Sequence, residues 1–127
     1  MTHVADTSLL VASFDQRDPR RAEARKRMDA AATLVVPTEI LVELQGVLKA
    51  KAGRGAADAA LEDLMRLQNV LWAECCDFRQ TREIYRTEKA LSFPDAVVVQ
   101  QALARKMDLL TFDDDQEKAL KRRRRES

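Results

Sequence analysis

Histidine and cysteine are nearly absent from this 127-residue sequence. The only histidine, His3, has no cysteine or aspartate partner at ligand spacing, so neither a histidine-based catalytic triad nor a zinc site is expected. The two cysteines, Cys75 and Cys76, are adjacent, and a disulfide between them would close a strained ring. We therefore expect reduced cysteines and a fold that depends on its apolar core.

Glycine and proline are also scarce, with only 3 of each, which excludes a flexible low-complexity linker. A composition of 46% hydrophobic and 34% charged residues is typical of a compact, helix-rich domain. No apolar run approaches the roughly 20 residues of a membrane span, and the start "MTHVADTSLLVASFDQRD" lacks the pattern of a signal peptide. A cytoplasmic location is therefore expected.

Positive charge is concentrated at the end of the sequence. The segment "KRRRRES" (121–127) carries five basic side chains and one acid, a net +4, which leaves −3 for residues 1–120 because the whole chain carries +1. We therefore predict one folded domain over residues 1–120 and a basic C-terminal tail over residues 121–127.

Short apolar segments typical of strands alternate with helical patterns along the chain. The strand candidates are "HVA", "TLVV", "VLWAEC" and "DLLTF". The helix candidates are "TSLLVASF"; "DPRRAEARKRMDAAA", with Asp18 as cap and Pro19 in first position; a helix from Thr38 to near Gly53; "AADAALEDLMRLQN", with Leu61, Leu64 and Met65 on one face; "DFRQTREIYRTEKAL", with Phe78, Ile84 and Tyr85 available for packing; and "SFPDAVVVQQALARK", capped at Ser92. This alternation predicts an α/β fold with a parallel sheet covered on both faces.

Acidic residues follow two of the predicted strands. Asp6 comes after the first strand, and "LLTFDDDQ" places Asp113, Asp114 and Asp115 after the last. Ligands of such sheets bind outside the carboxyl ends of the strands, so Asp6 and Asp113 are the first pair of candidates.

Two further acids border the predicted core. Glu43 lies beside the apolar stripe formed by Ile40, Leu44 and Val47, whereas Glu39 is one turn earlier and is interpreted as a surface acid in the favourable first turn. Asp95 lies on the inward side of its helix. Either a capping box with Ser92 or a metal site explains an acid there, and the residues alone leave both explanations open.

Carboxylates that converge without a cation would take up protons or move apart. A divalent ion resolves this conflict, and oxygen-only ligands favour Mg²⁺ or Mn²⁺ over zinc. Since Mg²⁺ is often shared between carboxylates, waters and a substrate phosphate, the substrate expected here is a phosphodiester.

Four motifs, "VADTSLL", "PTEILVEL", "SFPDAVVV" and "LLTFDDD", resemble in order and spacing those of PIN-domain proteins of the VapC toxin type. The resemblance spans nearly the whole chain. It implies a metal-dependent endoribonuclease with a three-layer α/β/α sandwich and a short parallel sheet, usually a homodimer and inhibited by a small antitoxin. The motif acids that match are Asp6, Glu43, Asp95 and Asp113, as catalytic and metal-binding residues.

The resemblance also suggests supporting residues and a reaction. Asp115 is a further metal-site candidate, Asp114 is expected to face solvent, and the hydroxyls of Thr7, Ser8 and Thr111 either orient a ligand or act as caps. One or two Mg²⁺ or Mn²⁺ ions would promote hydrolysis that leaves a 5′-phosphate and a 3′-hydroxyl. Candidate cations for RNA phosphates are Arg17, Arg20, Arg21, Arg54 and residues 121–125.

The sequence leaves three alternative functions open. A housekeeping PIN-domain nuclease would share the same acids. A phosphoacceptor signalling receiver also collects acids at strand ends, but it requires an acidic pair after the first strand and a lysine after a late one, and this sequence has neither. A non-catalytic binding module would use Asp95 only as a helix cap.

Overall fold

The computed structural model describes residues 2–73 and 76–126. The elements in chain order are β1 (Thr2–Ala5), α1 (Thr7–Phe14), α2 (Arg21–Ala30), β2 (Thr33–Pro37), α3 (Thr38–Ala52), α4 (Arg54–Arg66), β3 (Val70–Ala73), α5 (Phe78–Thr87), α6 (Phe93–Arg105), β4 (Asp108–Leu110) and α7 (Asp114–Glu126). The end of the predicted strand "VLWAEC" and the predicted state of Cys75 lie outside the described residues. Within residues 2–73 and 76–126, no helix has the length and apolar character to cross a membrane.

The four strands form one parallel sheet in the order β3-β2-β1-β4. Val4 is paired with Val35 of β2 and with Leu109 of β4. Val4 and the consecutive residues Leu34, Val35 and Val36 are all fully buried, which requires helices on both faces of the sheet. The predicted α/β/α sandwich is therefore confirmed.

The helix α2 begins at Arg21, two residues later than predicted. Asp18 is not its cap, because the Asp18 carboxylate accepts the backbone N–H of Arg20 at 2.8 Å and closes a turn there. The carboxylate also pairs with the Arg20 guanidinium at 3.3 Å. Pro19 and Arg20 thus belong to the loop between α1 and α2, which borders the site described below.

Residues 121–126 continue α7, so the boundary predicted at residue 120 falls inside a helix. Three arginines of this segment, Arg122, Arg123 and Arg124, contact the body of the protein. Arg122 pairs with Glu88, and Arg124 pairs with Asp108 at 3.0 Å. Asp114 is exposed, as predicted, but for a different reason. The prediction assumed that the strand continues to Asp114, whereas β4 ends at Leu110 and Asp114 is the first residue of α7.

Three apolar side chains predicted for helix packing are exposed instead. Met65 is 71% exposed, because consecutive helix residues lie about 100° apart and the neighbouring Leu64 takes the buried direction. On α5, Ile84 is buried as expected, but Phe78 and Tyr85 are 64% and 48% exposed. Both rings contact Phe93 at the start of α6, with ring centroids 6.0 and 5.8 Å from it.

Candidate active site

One cleft at the carboxyl ends of β1 and β4 collects most of the acids that the sequence singled out. Its volume is about 310 Å³. Five acids and two cations are among the residues that line it: Asp6, Thr7, Ser8, Val11, Asp18, Arg20, Glu43, Val47, Lys51, Asp95 and Asp113. The cleft therefore has a marked excess of negative charge, as the four motif acids predicted.

Asp6 is placed by the turn between β1 and α1. Its backbone N–H donates to Leu110 O at 3.0 Å, which extends the pairing of β1 with β4 by one residue. Its side chain caps α1, since Oδ2 accepts the backbone N–H of Ser8 at 3.2 Å. Asp6 is only 2% exposed, so the cap and the strand pairing fix a nearly buried carboxylate at the bottom of the cleft.

Two hydroxyls connect Asp6 to the segment that carries Asp113. The Asp6 Oδ2 atom accepts the Ser8 hydroxyl at 2.6 Å and the Thr111 hydroxyl at 2.9 Å. Ser8 Oγ also accepts the N–H of Phe112 at 3.2 Å, and Thr111 Oγ1 accepts the N–H of Asp113 at 2.9 Å. Ser8 and Thr111 therefore hold the two strand-end acids in a fixed relation, a role beyond the simple capping that the sequence left open.

Asp95 forms the predicted capping box at the start of α6. Its Oδ2 atom accepts the N–H of Ser92 at 2.9 Å, while the Ser92 hydroxyl accepts the N–H of Asp95 at 3.3 Å. The other carboxylate oxygen, Oδ1, accepts Nε2 of the buried Gln116 at 2.8 Å. Asp95 is thus a cap and also lines the cleft, so the two explanations offered by the sequence do not exclude each other.

The acids of the cleft act on one another electrostatically. Partial burial raises the pKa of Glu43, the nearby Thr7 hydroxyl opposes this shift, and the charges of Asp6 and Asp95 raise the pKa further. Burial likewise raises the pKa of Asp113, opposed by the N–H of Asp115 and supported by the charges of Asp95, Asp115 and Asp6. Bringing these carboxylates together costs free energy that a cation would offset.

Other predicted site residues lie outside the cleft lining. Thr111 acts through Asp6 and Asp113, as described, and the exposed Asp115 contributes its backbone N–H to Asp113 Oδ1 at 2.9 Å. Of the candidate cations, Arg20 lines the cleft. The sequence reasoning missed Lys51 and the cleft position of Asp18. The spacing of Glu43, Val47 and Lys51 by four residues on α3 was the available signal for Lys51.

The donor set suits a hard divalent cation, since the cleft offers carboxylate and hydroxyl oxygens without sulfur or imidazole. Among the described residues, no group of three or more histidine, cysteine, aspartate or glutamate side chains would hold a metal ion as arranged. This arrangement does not fit an all-protein metal cage, but it fits Mg²⁺, which commonly takes one or two carboxylates and completes its shell with waters and phosphate.

Comparison with known proteins gives a consistent result. The model of the PIN domain family matches residues 4–121. The fold is similar to VapC20 of Mycobacterium tuberculosis, a sarcin-ricin loop cleaving toxin, with 21% identity over 94% of this chain and 95% of that chain and a TM-score of 0.78. It is also similar to VapBC2 from Rickettsia felis bound to a DNA fragment from their promoter, with 12% identity over 94% and 93% of the two chains and a TM-score of 0.70. No protein of curated function matches the sequence.

Proposed function

Because the chain belongs to the PIN-domain family, we propose that it is a metal-dependent endoribonuclease that hydrolyses RNA phosphodiester bonds as a VapC-type toxin. The observation that carries this proposal is that Asp6, Glu43, Asp95 and Asp113 line a single cleft at the carboxyl ends of parallel strands. The structural likeness to a toxin that cleaves the sarcin-ricin loop supports RNA as the substrate class.

In the proposed reaction the four acids would hold Mg²⁺ or Mn²⁺, one or two of them by direct contact and the others through bound waters, with Asp115 as a further metal candidate close to Asp113. A bound divalent ion supplies a nucleophilic water and a Lewis acid at the phosphate, and hydrolysis leaves a 5′-phosphate and a 3′-hydroxyl. Ser8 and Thr111 keep Asp6 oriented through their hydroxyls. The capping box fixes the position of Asp95 at the start of α6. No covalent intermediate on the protein is required.

A toxin of this kind would be kept silent by a small antitoxin in the cytoplasm. Support for such a partner comes from the structural likeness to VapBC2. A short reading frame immediately upstream of the gene would favour this role over that of a housekeeping PIN nuclease. Co-purification of its product with the chain, together with loss of cleavage in the complex, would test the partner directly.

The purified chain should cut at least one member of a panel of structured RNAs with Mg²⁺ or Mn²⁺ and should not cut with chelator. The same ions should raise the melting temperature by several degrees, because they bind the native state and relieve repulsion among the acids. KCl at matched ionic strength controls for simple screening. Failure of both readouts at millimolar metal would contradict the proposal and favour a non-catalytic binding module.

The proposed homodimer would use the exposed rings of Phe78 and Tyr85 together with Phe93, because large apolar side chains grouped on a surface commonly mark an interface. Light scattering should give twice the 14.4 kDa mass of the chain, and Phe78→Asp should reduce it to the monomer mass. Met65→Asp is the matched control, since Met65 is similarly exposed but lies on α4. Dissociation by Met65→Asp alone would move the interface to α4, and a monomeric wild-type chain would refute the dimer.

A further inference from the structure

The cleft is lined by basic as well as acidic side chains. Arg20 and Lys51 are its only lining cations among the described residues, and they come from different elements, the loop between α1 and α2 and the end of α3. Each is paired with an aspartate of that same loop: Arg20 with Asp18 at 3.3 Å, and Lys51 with Asp15 at 3.5 Å. The loop therefore brings both cations to one side of the cleft.

The helix α3 sets the distance between Glu43 and Lys51. Glu43, Val47 and Lys51 all line the cleft and follow one another at intervals of four residues, so they form a single ridge along the helix. Eight residues of helix span about 12 Å. A phosphate bound near Glu43 would therefore lie about 12 Å along the helix from the backbone of Lys51. Lys51 would instead contact a phosphate further along the same RNA strand.

Arg20 is held in place by an aromatic ring next to Asp113. Its guanidinium lies over the ring of Phe112, 4.6 Å from the centroid, and Phe112 directly precedes Asp113. The carboxylate of Asp18 contacts both Nε and a terminal nitrogen of the same guanidinium, at 3.3 and 3.4 Å. The side chain is thus oriented at the cleft without being buried, since about half of it remains exposed.

Other arginines, some of them candidates from the sequence, lie outside the cleft lining. Arg21 and Arg25 donate to the backbone oxygen of Ser13, at 3.4 and 2.9 Å. In the basic last turn of α7, Arg122 pairs with Glu88. Neither these residues nor Arg54 lines the cleft.

We propose that Arg20 and Lys51 form a phosphate-binding subsite that holds the RNA backbone beside the scissile bond, an inference that rests on the proposed ribonuclease function. Asp18 binds Nε and one terminal nitrogen of Arg20, and the half-exposed guanidinium has further N–H groups that a phosphate could bind. The planar fork of Arg20 suits bidentate phosphate contact, whereas Lys51 acts as a point charge. The acids would thus receive the scissile phosphate, while Arg20 and Lys51 would bind neighbouring phosphates of the same RNA strand.

Salt dependence of RNA binding tests the subsite. The probe is a fluorescein-labelled single-stranded RNA oligonucleotide, bound with Mg²⁺ to a chain that also carries Asp95→Asn so that it is not cut. Arg20→Ala and Lys51→Ala should each weaken RNA binding. Each should also make the negative slope of log Kobs against log salt concentration shallower by about 0.7, the value for one lost phosphate contact in a single strand. In the otherwise wild-type chain, both substitutions should raise KM more than they lower kcat.

Two matched controls separate the subsite from general charge. Arg27→Ala removes the same charge as Arg20→Ala. Like Arg20, Arg27 stacks on Phe112, 5.1 Å from the centroid, and pairs with an acid, Glu23. Unlike Arg20, it does not line the cleft. Lys49→Ala removes an exposed lysine of α3 two residues from Lys51. Both controls should keep the wild-type slope.

The outcomes are distinguishable from those of the ribonuclease test. If the wild-type chain cuts RNA but Arg20→Ala and Lys51→Ala keep the slopes of their controls, the subsite is refuted and the ribonuclease function stands. A wild-type chain that neither cuts nor binds any RNA refutes both. Arg20→Lys gives a finer reading, because it should keep the slope and still weaken binding if the fork of Arg20 matters.

Discussion

Asp95→Asn should abolish RNA cleavage while leaving the protein folded. The carboxylate lines the cleft with Asp6 and Asp113, so its neutralisation removes one of the charges proposed to hold the metal. Loss of an outer-shell partner of a metal typically costs about 10–100-fold in affinity or activity, and loss of a direct ligand should cost more. Cleavage by the variant should therefore fall by at least about two orders of magnitude.

The fold should tolerate this substitution because an asparagine satisfies the same contacts. Its side-chain oxygen accepts the N–H of Ser92 in place of Asp95 Oδ2. Its amide group then faces Gln116, whose Oε1 atom is buried and has no hydrogen-bond partner among the described residues. Rotation of the Gln116 amide brings this oxygen to the new donor, so we expect the melting temperature without metal to change little.

Asp77→Asn is the matched control for charge and for helix capping. Asp77 caps α5 by accepting the N–H of Gln80 at 3.1 Å, and it does not line the cleft. Since asparagine is an equally good cap, Asp77→Asn should keep full activity. If Asp95→Asn cuts RNA as well as Asp77→Asn does, Asp95 is only a cap and its place among the metal-binding acids is refuted.

Asp6→Ala should cost both activity and stability, and so differ from Asp95→Asn. The substitution removes the cap of α1, worth about 1 kcal/mol, and leaves the hydroxyls of Ser8 and Thr111 without their acceptor, at about 1–3 kcal/mol for a buried group. Because these two hydroxyls lie 3.3 Å apart and can partly satisfy each other, and because loss of the Asp6 charge relieves repulsion with Glu43 and Asp113, we expect a total near 2 kcal/mol. Chemical denaturation of both proteins without metal measures this difference.

Asp6→Asn separates the structural role of Asp6 from its charge. The amide oxygen can accept from Ser8 and Thr111, and loss of the negative charge relieves the repulsion that raises the pKa of Glu43 and of Asp113. We therefore expect Asp6→Asn to be at least as stable as the wild-type chain without metal, yet inactive and without stabilisation by Mg²⁺. An active Asp6→Asn variant would exclude Asp6 from the metal site.

Local sequence patterns were sufficient to predict many elements of the fold. The periodicity of "TEILVELQGVLKAKAG" predicted α3 up to its end near Gly53, and Ser92 with Asp95 predicted the capping box of α6, because both signals involve residues within one or two helical turns. The predicted start of α2 was wrong because the Asp18 carboxylate can bind a backbone N–H group either as a helix cap or within a turn. Only the closed turn at Arg20 shows which one it binds.

The exposed rings of α5 were unpredictable for a similar reason. Phe78 and Ile84 are both apolar residues of one helix, but only Ile84 meets another layer of the fold. Which side of a helix is covered depends on the packing of its neighbours, and the sequence of the helix does not contain that information.

The sequence by itself determined the α/β class, the positions of the four acids and the oxygen-only chemistry that they offer, since these follow from residue type, periodicity and the rule that strand ends carry ligands. Only the tertiary structure decided that Asp6 and Asp113 are joined through Ser8 and Thr111, residues separated by 103 positions. It also decided that Arg20 and Lys51 reach the same cleft. The physical reason is that these contacts arise between strands and loops distant in sequence, whose meeting depends on strand order and packing.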